Sequence, residues 1–428
     1  MDFFEKLFSE DNDIVEITMV QEYHHLEKLS CLYPDVKTRG KRSVSIVHFL
    51  IYILTLVYHL CALSITAGYV MNSLSLLFQT VHLLLLILLT FSLLCSLNLC
   101  RPIVARIHKD YYGGLHGYDE FTENYRPHLK LKEKKKKKFL YGLIVALVLS
   151  VGVVVILVAP VLHSALETTL GNNTNGVSYN LPFPEWTPFG TDTWTFYIIS
   201  FSLQTYSANM MLLTIYCGVF MLFTFTQFLH SEIELLIHSL EHLQERTLLL
   251  IGNRNKTVDF SIMKMDKELN SAYKYCLKEN VLHHLKIIEI CNDANIALSV
   301  PVFVSYFFGT ITIAFAGVVI YGDDPLALKL TALALSGAET FNVFYLAWCG
   351  EQIITSSEKL SFILYKTDWN YLDKSGYLMI QIMMARAQRP LSLEGGYFFP
   401  MSFETFSYVM NTAYSYFNLL FAFKEAAE

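Results

Sequence analysis

The last apolar segment of the chain, residues 402–423, places polar side chains on one face of a helix. Steps of four and three residues stay on the same side of an α-helix. The resulting stripe consists of Glu404, Tyr408, Asn411, Ser415, Asn418 and Ala422. Polar side chains within a membrane span face protein or water rather than lipid. The stripe therefore predicts either small polar contacts between packed helices or the lining of an aqueous path.

Patterns typical of catalysis, nucleotide binding or metal binding do not stand out in the sequence. The eight cysteines form no Cys-x-x-Cys motif and no Cys/His spacing of a metal site. The stretch "SLEGGY" (392–397) follows a proline and precedes a helix start, so it predicts a turn rather than a phosphate-binding loop. We expect no enzyme activity, no cofactor, no metal and no nucleic-acid partner.

The elements that must position the stripe are membrane helices. The 428 residues are 53% hydrophobic and 16% charged, whereas soluble domains carry about 25% charged residues. A helix that crosses a bilayer needs about 20 residues. Seven apolar segments meet that length: 44–67, 73–99, 139–163, 193–229, 283–320, 326–354 and 402–423. The sequence predicts an all-α membrane protein with seven transmembrane helices.

Basic residues set the expected orientation, because cytoplasmic loops are enriched in lysine and arginine. If the seven segments cross the membrane one after another, 30 of the 32 lysine and arginine residues lie on the same side of it. The two exceptions are Lys329 and Lys424. We therefore expect a cytoplasmic N-terminus and, after seven crossings, an extracellular C-terminus. No signal peptide is visible in residues 1–43. The sequon at Asn172, in a loop without Lys or Arg, predicts extracellular glycosylation.

The predicted organisation has six segments, and two of them are helical extensions into the cytoplasm. Residues 233–243 repeat apolar side chains at intervals of three and four, which predicts an amphipathic helix that continues the fourth span. Another cytoplasmic helix is expected to end before Pro390, and Ser402 is expected to cap the last span. The seventh element is therefore predicted to consist of a cytoplasmic helix and a separate membrane helix. The segments are 1–43 (cytoplasmic), 44–229 (spans one to four), 230–282 (cytoplasmic helical loop), 283–354 (spans five and six), 355–400 (cytoplasmic helix and turn) and 401–428 (seventh helix and short extracellular tail).

Several motifs near the end of the chain resemble those of insect odorant receptors. They are "YLAWCGEQI" (345–353), "SSEKLSFILYKTDWNYL" (356–372), "MMARAQRPLSLEGGYFFPMSFETFSYVM" (383–410) and "AYSYFNLL" (413–420). The resemblance implies a tetrameric, ligand-gated cation channel in the plasma membrane of olfactory neuron dendrites, with the seventh helices around one pore. It also implies assembly with a shared odorant co-receptor. This chain lacks the co-receptor's longer insert between spans four and five and its late glutamine, since Phe421 or Ala422 stands there. It therefore resembles a tuning subunit.

The resemblance favours the pore for the polar stripe and assigns roles along it. Asn411, Ser415, Asn418 and Ala422 would line the conduit, and Leu419 would fall at a hydrophobic gate. A ring of apolar side chains can block ions by excluding water until the helices move apart.

The same resemblance places a volatile ligand in the outer half of the bundle, among spans two to six. Such a pocket is mostly apolar with a few polar groups. The residues at that depth are Phe78, His82, Val158, Leu162, Tyr206, Met210, Met211, Thr340, Phe341 and Phe344. Plain helix packing is the alternative role for each of these residues. Glu339, an acid within the sixth span, is either functional, protonated, or paired with Lys329.

Three other classes of protein remain as alternatives. A G-protein-coupled receptor has seven spans but an extracellular N-terminus, which the distribution of basic residues opposes. Its common class also has an extracellular disulfide, whereas all eight cysteines here fall in the predicted spans or on the cytoplasmic side. A gustatory receptor of the same superfamily typically ends in a Thr-Tyr and Gln-Phe pattern that "SYFNLLFAF" does not follow. A transporter commonly shows inverted repeats, and none is visible.

Overall fold

The computed structural model describes residues 39–71, 73–136, 139, 176–178, 181–189, 191, 193–252, 266–323 and 326–427. Within these ranges the chain is predominantly helical, as the sequence predicts. The elements are α1 (Arg39–Tyr69), α2 (Leu74–Leu99), α3 (Arg101–Gly113), α4 (Glu120–Glu123), β1 (Val177–Ser178), β2 (Glu185–Trp186), α5 (Trp194–Glu241), α6 (Leu243–Leu250), α7 (Lys267–Tyr321), α8 (Leu326–Lys366), a 3₁₀ turn (Trp369–Tyr371), α9 (Lys374–Ala387), β3 (Glu394–Gly395), β4 (Phe399–Pro400) and α10 (Phe403–Ala427). Residues 126–136 are also helical.

Four of the described helices, α1, α2, α5 and α7, are long and apolar enough to cross a membrane. The helices over the predicted sixth and seventh spans, α8 and α10, have 41 and 25 residues. At 1.5 Å per residue, 25 residues give about 37 Å, enough for a hydrocarbon core of about 30 Å. The predicted third span, residues 139–163, lies outside the described residues apart from Phe139.

The helices over the predicted fourth and fifth spans, α5 and α7, are longer than a bilayer requires, and the sequence predicts this extension for the fourth. With 48 residues in α5 and 55 in α7, these helices extend to about 70 and 80 Å. The helix α8 likewise runs past the predicted end at residue 354 to Lys366. The loop expected over residues 101–138 is itself largely helical, because it holds α3, α4 and the helical residues 126–136.

The two ends of the bundle can be told apart by what lies there. At the hairpin end, defined by Tyr69, the β1–β2 pair and Tyr321, α1 and α7 finish and α2 and α5 begin. At the extension end, α3, α4, α6 and α9 pack on the long continuations of α5, α7 and α8. One large core of buried apolar side chains joins α1, α2, α5, α7 and α8 along the bundle.

A buried polar network holds the extension end together. Arg126 Nη1 donates to Glu232 Oε1 at 2.8 Å, and Glu232 Oε2 lies 3.0 Å from Nε2 of His283. The other ring nitrogen of His283 lies 2.8 Å from the hydroxyl of Tyr118. The loop that precedes α4 is thus tied to both α5 and α7. Since buried charges are costly unless paired, this network favours one arrangement of the three segments.

Asp119 forms a second tie at the same end. Its carboxylate accepts from Nε of Arg246 at 2.5 Å and from the backbone N–H of Thr122 at 2.9 Å, which caps α4. Burial acts to raise the pKa of the Asp119 carboxyl, but the hydrogen bonds from Thr122 and Arg246 outweigh it, so the pKa lies below its usual value. The folded state therefore stabilises the charged form of Asp119.

Candidate functional site

The polar stripe of the last helix is exposed along its length. Glu404, Tyr408, Asn411, Ser415, Asn418 and Ala422 are all exposed on α10, and Leu419 beside them is 52% exposed. The Ser415 hydroxyl donates to the carbonyl of Asn411 at 2.9 Å, which satisfies it within the helix. The stripe contacts no other part of the described chain closely enough to be buried, so it is available to water or to another subunit.

The opposite face of α10 is fixed to the rest of the molecule. Thr405, Val409 and Ala413 are buried at four-residue intervals, and the helix packs on α7 and α8. Near the hairpin end, Phe417 lies against Gly317 of α7, where an added Cβ would come within 2.7 Å of its ring. The backbone of α7 at Gly317 thus leaves space for the Phe417 ring, which fixes the rotation of α10.

Aromatic side chains outside the polar stripe are exposed as well. Tyr416 and Phe423 are 50% and 65% exposed. The contact with α7 and α8 covers a narrower stripe than the apolar residues of the helix would fill. The exposed surface of α10 therefore combines polar and aromatic side chains.

The turn that leads into α10 is bound tightly to α7 and α8. The predicted turn is a hairpin in which β3 and β4 pair antiparallel. The backbone N–H groups of Glu394 and Tyr397 donate to side-chain oxygens of Asn295 and Ser299 on α7, at 2.9 and 3.0 Å. The predicted cap at Ser402 is present, since its Oγ accepts from the N–H of Thr405 at 3.2 Å.

Gly350 on α8 provides the closest contact with this turn. A Cβ added there would lie 2.0 Å from the carbonyl oxygen and 2.3 Å from the Cβ of Met401. The backbone before α10 therefore lies directly against the surface of α8. This contact, together with the bonds to α7, makes the start of α10 dependent on the positions of both helices.

The predicted ligand residues on α2 lie at the hairpin end. Phe78 is buried in a small cluster with Ala316 and Val319 of α7 and Ala332 of α8. The ring of His82 lies 6.3 Å from that of Phe78, and its Nδ1 is buried with no hydrogen-bond partner among the described residues. An imidazole nitrogen in this position can hydrogen-bond a polar atom of a small molecule.

The predicted residues on α5 face the core. Met210 and Met211 are buried in the main apolar core, and Tyr206 is partly buried at its edge. The Tyr206 ring lies 6.1 Å from the ring of His48 on α1. Methionine side chains adapt to irregular shapes, so this surface can accommodate either packing or a ligand.

The predicted residues on α8 do not gather into one group. Phe341 is 52% exposed, whereas Thr340 is partly buried and donates to the carbonyl of Ser336 within its own helix. Phe344 instead packs on the last helix, with its ring 5.8 Å from Phe403 and 5.7 Å from Phe406. Phe344 therefore links α8 to the start of α10.

Three predicted positions cannot be placed. Val158, Leu162 and Asn172 lie outside the described residues. Glu339 is placed on the side of α8 that faces α7, with its carboxylate near Gly309. The Asn342 amide, one turn further along α8, donates to Ser305 on α7 at 2.8 Å. Within the described ranges, no ion pair joins Glu339 to Lys329.

Sequence reasoning missed polar side chains that the tertiary structure brings into the core. Tyr306 on α7 is buried, and its hydroxyl has no partner among the described residues. Glu185, in the segment between the third and fourth predicted spans, is buried beside His59 of α1. No local pattern marks either residue, since each is a single polar side chain whose burial depends on distant helices.

The described residues contain no group of three or more His, Cys, Asp or Glu side chains that could hold a metal ion. The seven cysteines in the described ranges are free thiols. A cavity of about 380 Å³ lies at the extension end, between the ends of α5 and α8 and the start of α7, and includes Gln244, Tyr273 and Lys366. None of the predicted ligand residues lines this cavity.

Comparison with known proteins gives the family. The sequence pattern of the 7tm Odorant receptor family matches residues 114–414. Putative odorant receptor 92a of Drosophila melanogaster is 25% identical over 181 residues, which are 40% of this chain and 44% of that protein. Odorant receptor 9a of the same species is 29% identical over 147 residues, 34% of this chain and 37% of that protein. The match thus spans less than half the length of these two relatives.

Solved structures match over nearly the whole chain. The insect olfactory receptor OR5 from Machilis hrabei, in complex with eugenol, superposes with a TM-score of 0.73. The superposition covers 92% of this chain and 95% of that one at 13% sequence identity. At this identity the likeness establishes the fold, and the match of the family pattern to more than half of the sequence establishes the family. The chain belongs to the insect odorant receptor family.

Proposed function

We propose that this chain is a tuning subunit of an odorant-gated cation channel in the plasma membrane of olfactory neuron dendrites. A volatile molecule binds in the half of the bundle near the hairpin end and opens a non-selective pore lined by α10. The observation that carries the proposal is the exposed polar stripe of α10, whose opposite face is fixed to α7 and α8. A helix presented in this way has a surface suited to a shared aqueous path.

The proposed topology has seven crossings, a cytoplasmic extension end and an extracellular hairpin end. In support, Lys136 Nζ donates to Gln227 and Gln352, far along α5 and α8 from the hairpin end. Gly176 lies at the hairpin end, where its carbonyl accepts from Thr187. Lys136 and Gly176 thus lie toward opposite ends of the described bundle, which supports the proposed topology. The six predicted segments and the glycosylation at Asn172 belong to this proposal.

The proposed pore residues are Asn411, Ser415, Asn418, Leu419 and Ala422. Four α10 helices from one tetramer would surround the conduit, with odorant co-receptor subunits supplying the others. Leu419, exposed among polar neighbours, would contribute to an apolar gate that excludes water in the closed state. The contacts of α10 with Gly317 and Phe344, and of Met401 just before α10 with Gly350, support coupling of the position of α10 to α7 and α8.

The proposed ligand is a small, largely apolar volatile with one or two polar atoms. The relative from Machilis hrabei was solved with eugenol, a ligand of that class. In this chain Phe78, Met210 and Met211 supply buried apolar surface. His82 supplies a buried nitrogen that has no partner in the described part of the chain. The other proposed ligand-binding residues are Val158, Leu162, Tyr206, Thr340, Phe341 and Phe344.

The test is whole-cell current in a heterologous cell that expresses the full chain alone or with the co-receptor. A panel of volatiles is applied while the pipette solution blocks G-protein signalling. We expect a fast cation current that requires both chains. Current from this chain alone would contradict the proposed heteromer and favour a homomeric channel. Responses that vanish with the G-protein block would refute the channel mechanism.

A further inference from the structure

Residues 176–178 and 181–189, here called the capping loop, are packed into the bundle rather than lying over it. The loop contains β1 and β2, which pair antiparallel with Val177 opposite Trp186. Leu181 is fully buried and Phe183 belongs to the main apolar core. Loops normally run over the surface because buried backbone groups need partners. Something specific must therefore satisfy the polar groups of this one.

The first attachment is a buried contact between a carboxylate of the capping loop and an imidazole of α1. Glu185 Oε2 lies 2.8 Å from Nδ1 of His59, and the two side chains are 1% and 0% exposed. The other ring nitrogen of His59 lies 3.0 Å from Oγ of Ser207 on α5. Both nitrogens of one imidazole are thus used, so the ring is held between the loop and two helices.

The second attachment comes from Gln204, a fully buried residue of α5. Its Oε1 accepts from the backbone N–H of Phe183 at 2.8 Å, and its Nε2 donates to the Phe183 carbonyl at 3.1 Å. The same Nε2 donates to Glu185 Oε1 at 2.8 Å. The side chain of Gln204 therefore replaces a neighbouring strand for the loop backbone.

A third bond completes the attachment, since the backbone N–H of Trp186 donates to Oγ1 of Thr66 on α1 at 2.7 Å. Removing one partner from a buried pair leaves the other group desolvated and unpaired. The network thus has one well-satisfied arrangement, which fixes the loop relative to α1 and α5. On α5, Ser207 lies next to Tyr206 and one turn before Met210, and Gln204 lies a further turn before Ser207.

We propose that His59, Glu185 and Gln204 are positioning residues that hold the capping loop as the end wall of the odorant cavity and so slow the escape of bound odorant. The inference rests on the proposed function, since it assigns a wall to that same ligand site. Phe183 forms the apolar surface of this wall, with its ring edge-on to His59 at 5.7 Å. Loosening the wall shortens the residence of the odorant without touching the pore helix α10.

The first test uses odorant washout in cells that express the full chain with the co-receptor. Glu185→Gln, His59→Phe and the milder Ser207→Ala are compared with Ser64→Ala as a matched control. Ser64 is an exposed residue of α1 whose hydroxyl bonds only within its helix. We expect the first two variants to deactivate roughly five- to tenfold faster after washout, as for loss of a buried polar partner. Currents evoked by a co-receptor agonist and the Ser64→Ala responses stay unchanged.

The second test reads the loop directly on intact cells with a membrane-impermeant thiol reagent. Leu181→Cys should be protected in the otherwise unchanged chain and should become labelled when combined with Glu185→Gln or Ser207→Ala. Trp194→Cys, at an 80% exposed position, should label in every background, and the chain without added cysteine sets the baseline. Labelling is measured on surface chains only, so poorly folding variants do not contribute.

Two results would overturn the proposal. One is labelling of Leu181→Cys in a chain whose positioning residues His59, Glu185 and Gln204 are unchanged. The other is unaltered protection and unaltered washout in both Glu185→Gln and Ser207→Ala. If the unchanged chain gives no odorant current at all, the proposed function fails. The thiol experiment then still decides whether the loop is held by these residues, so the two failures are distinguishable.

Discussion

Replacing Arg126 with methionine removes the central cation of the network at the extension end. The guanidinium pairs with Glu232 at 2.8 Å and Glu123 at 2.9 Å, and also donates to the carbonyl of His116. The side chain of Arg126 is 12% exposed and that of Glu232 is 7% exposed. Methionine keeps much of the apolar stem of the arginine side chain. It removes the guanidinium from the Glu232 carboxylate, which then retains its contact with His283.

The expected loss is about 3 kcal/mol of folding free energy, because breaking a buried ion pair from one side strands the other charge. Adding Glu232→Gln to Arg126→Met removes the stranded charge, so the double variant should be more stable than Arg126→Met. Arg389→Met is the matched control. Arg389 is exposed and forms no ion pair with the described residues, and exposed substitutions of this kind change stability by about 0.5 kcal/mol or less.

The assay uses the fluorescently tagged full-length chain in detergent, in complex with the co-receptor. After heating at a series of temperatures, size-exclusion chromatography measures the fraction of the protein that still elutes at its original volume. Arg126→Met should lower the apparent melting temperature by roughly 3 °C, and Arg389→Met should leave it nearly unchanged. The reasoning is refuted if Arg126→Met has the same apparent melting temperature as the unchanged chain. It is also refuted if the double variant is no more stable than Arg126→Met, since the stranded charge would then not be the cause.

Three further outcomes follow from the same structure. Gly350→Ala forces a Cβ against Met401 and should abolish surface delivery or odorant current, whereas Gly337→Ala, with open space around it, should leave both intact; equal behaviour in surface labelling would contradict the contact. Because the pKa of Asp119 is lowered in the folded state, its contribution to stability is present above the unfolded value of about 3.9 and is lost as the pH falls through the folded pKa. Heat survival should therefore hold from pH 7 to 5 and fall below about pH 4, and Asp119→Asn should be less stable at pH 7 and lack that part of the fall; parallel pH profiles would argue against the tie to Arg246. Leu419→Gln should produce cation current without odorant by wetting an apolar constriction, and silence of a surface-delivered Leu419→Gln channel would remove Leu419 from the gate.

The long helices and their order follow from the sequence, because apolar runs and three-and-four spacing are local properties of the chain. The predicted helical continuation of the fourth span is present as far as Glu241, with Ile233, Leu236 and Leu240 buried, and Leu243 is buried in α6. The cap at Ser402 and the helix that ends before Pro390 are likewise local, because each depends on a few neighbouring residues. The polar stripe of α10 is visible in the sequence for the same reason.

The tertiary structure alone decided which side of each helix is covered and which polar groups meet. The apolar residues Tyr416 and Phe423 are exposed because α7 and α8 cover only a narrow face of α10. Glu185 meets His59 across 126 positions of the chain, and no local pattern encodes a contact at that separation. A buried polar side chain is stabilised by a partner from another helix, so its role emerges only when the helices are packed together.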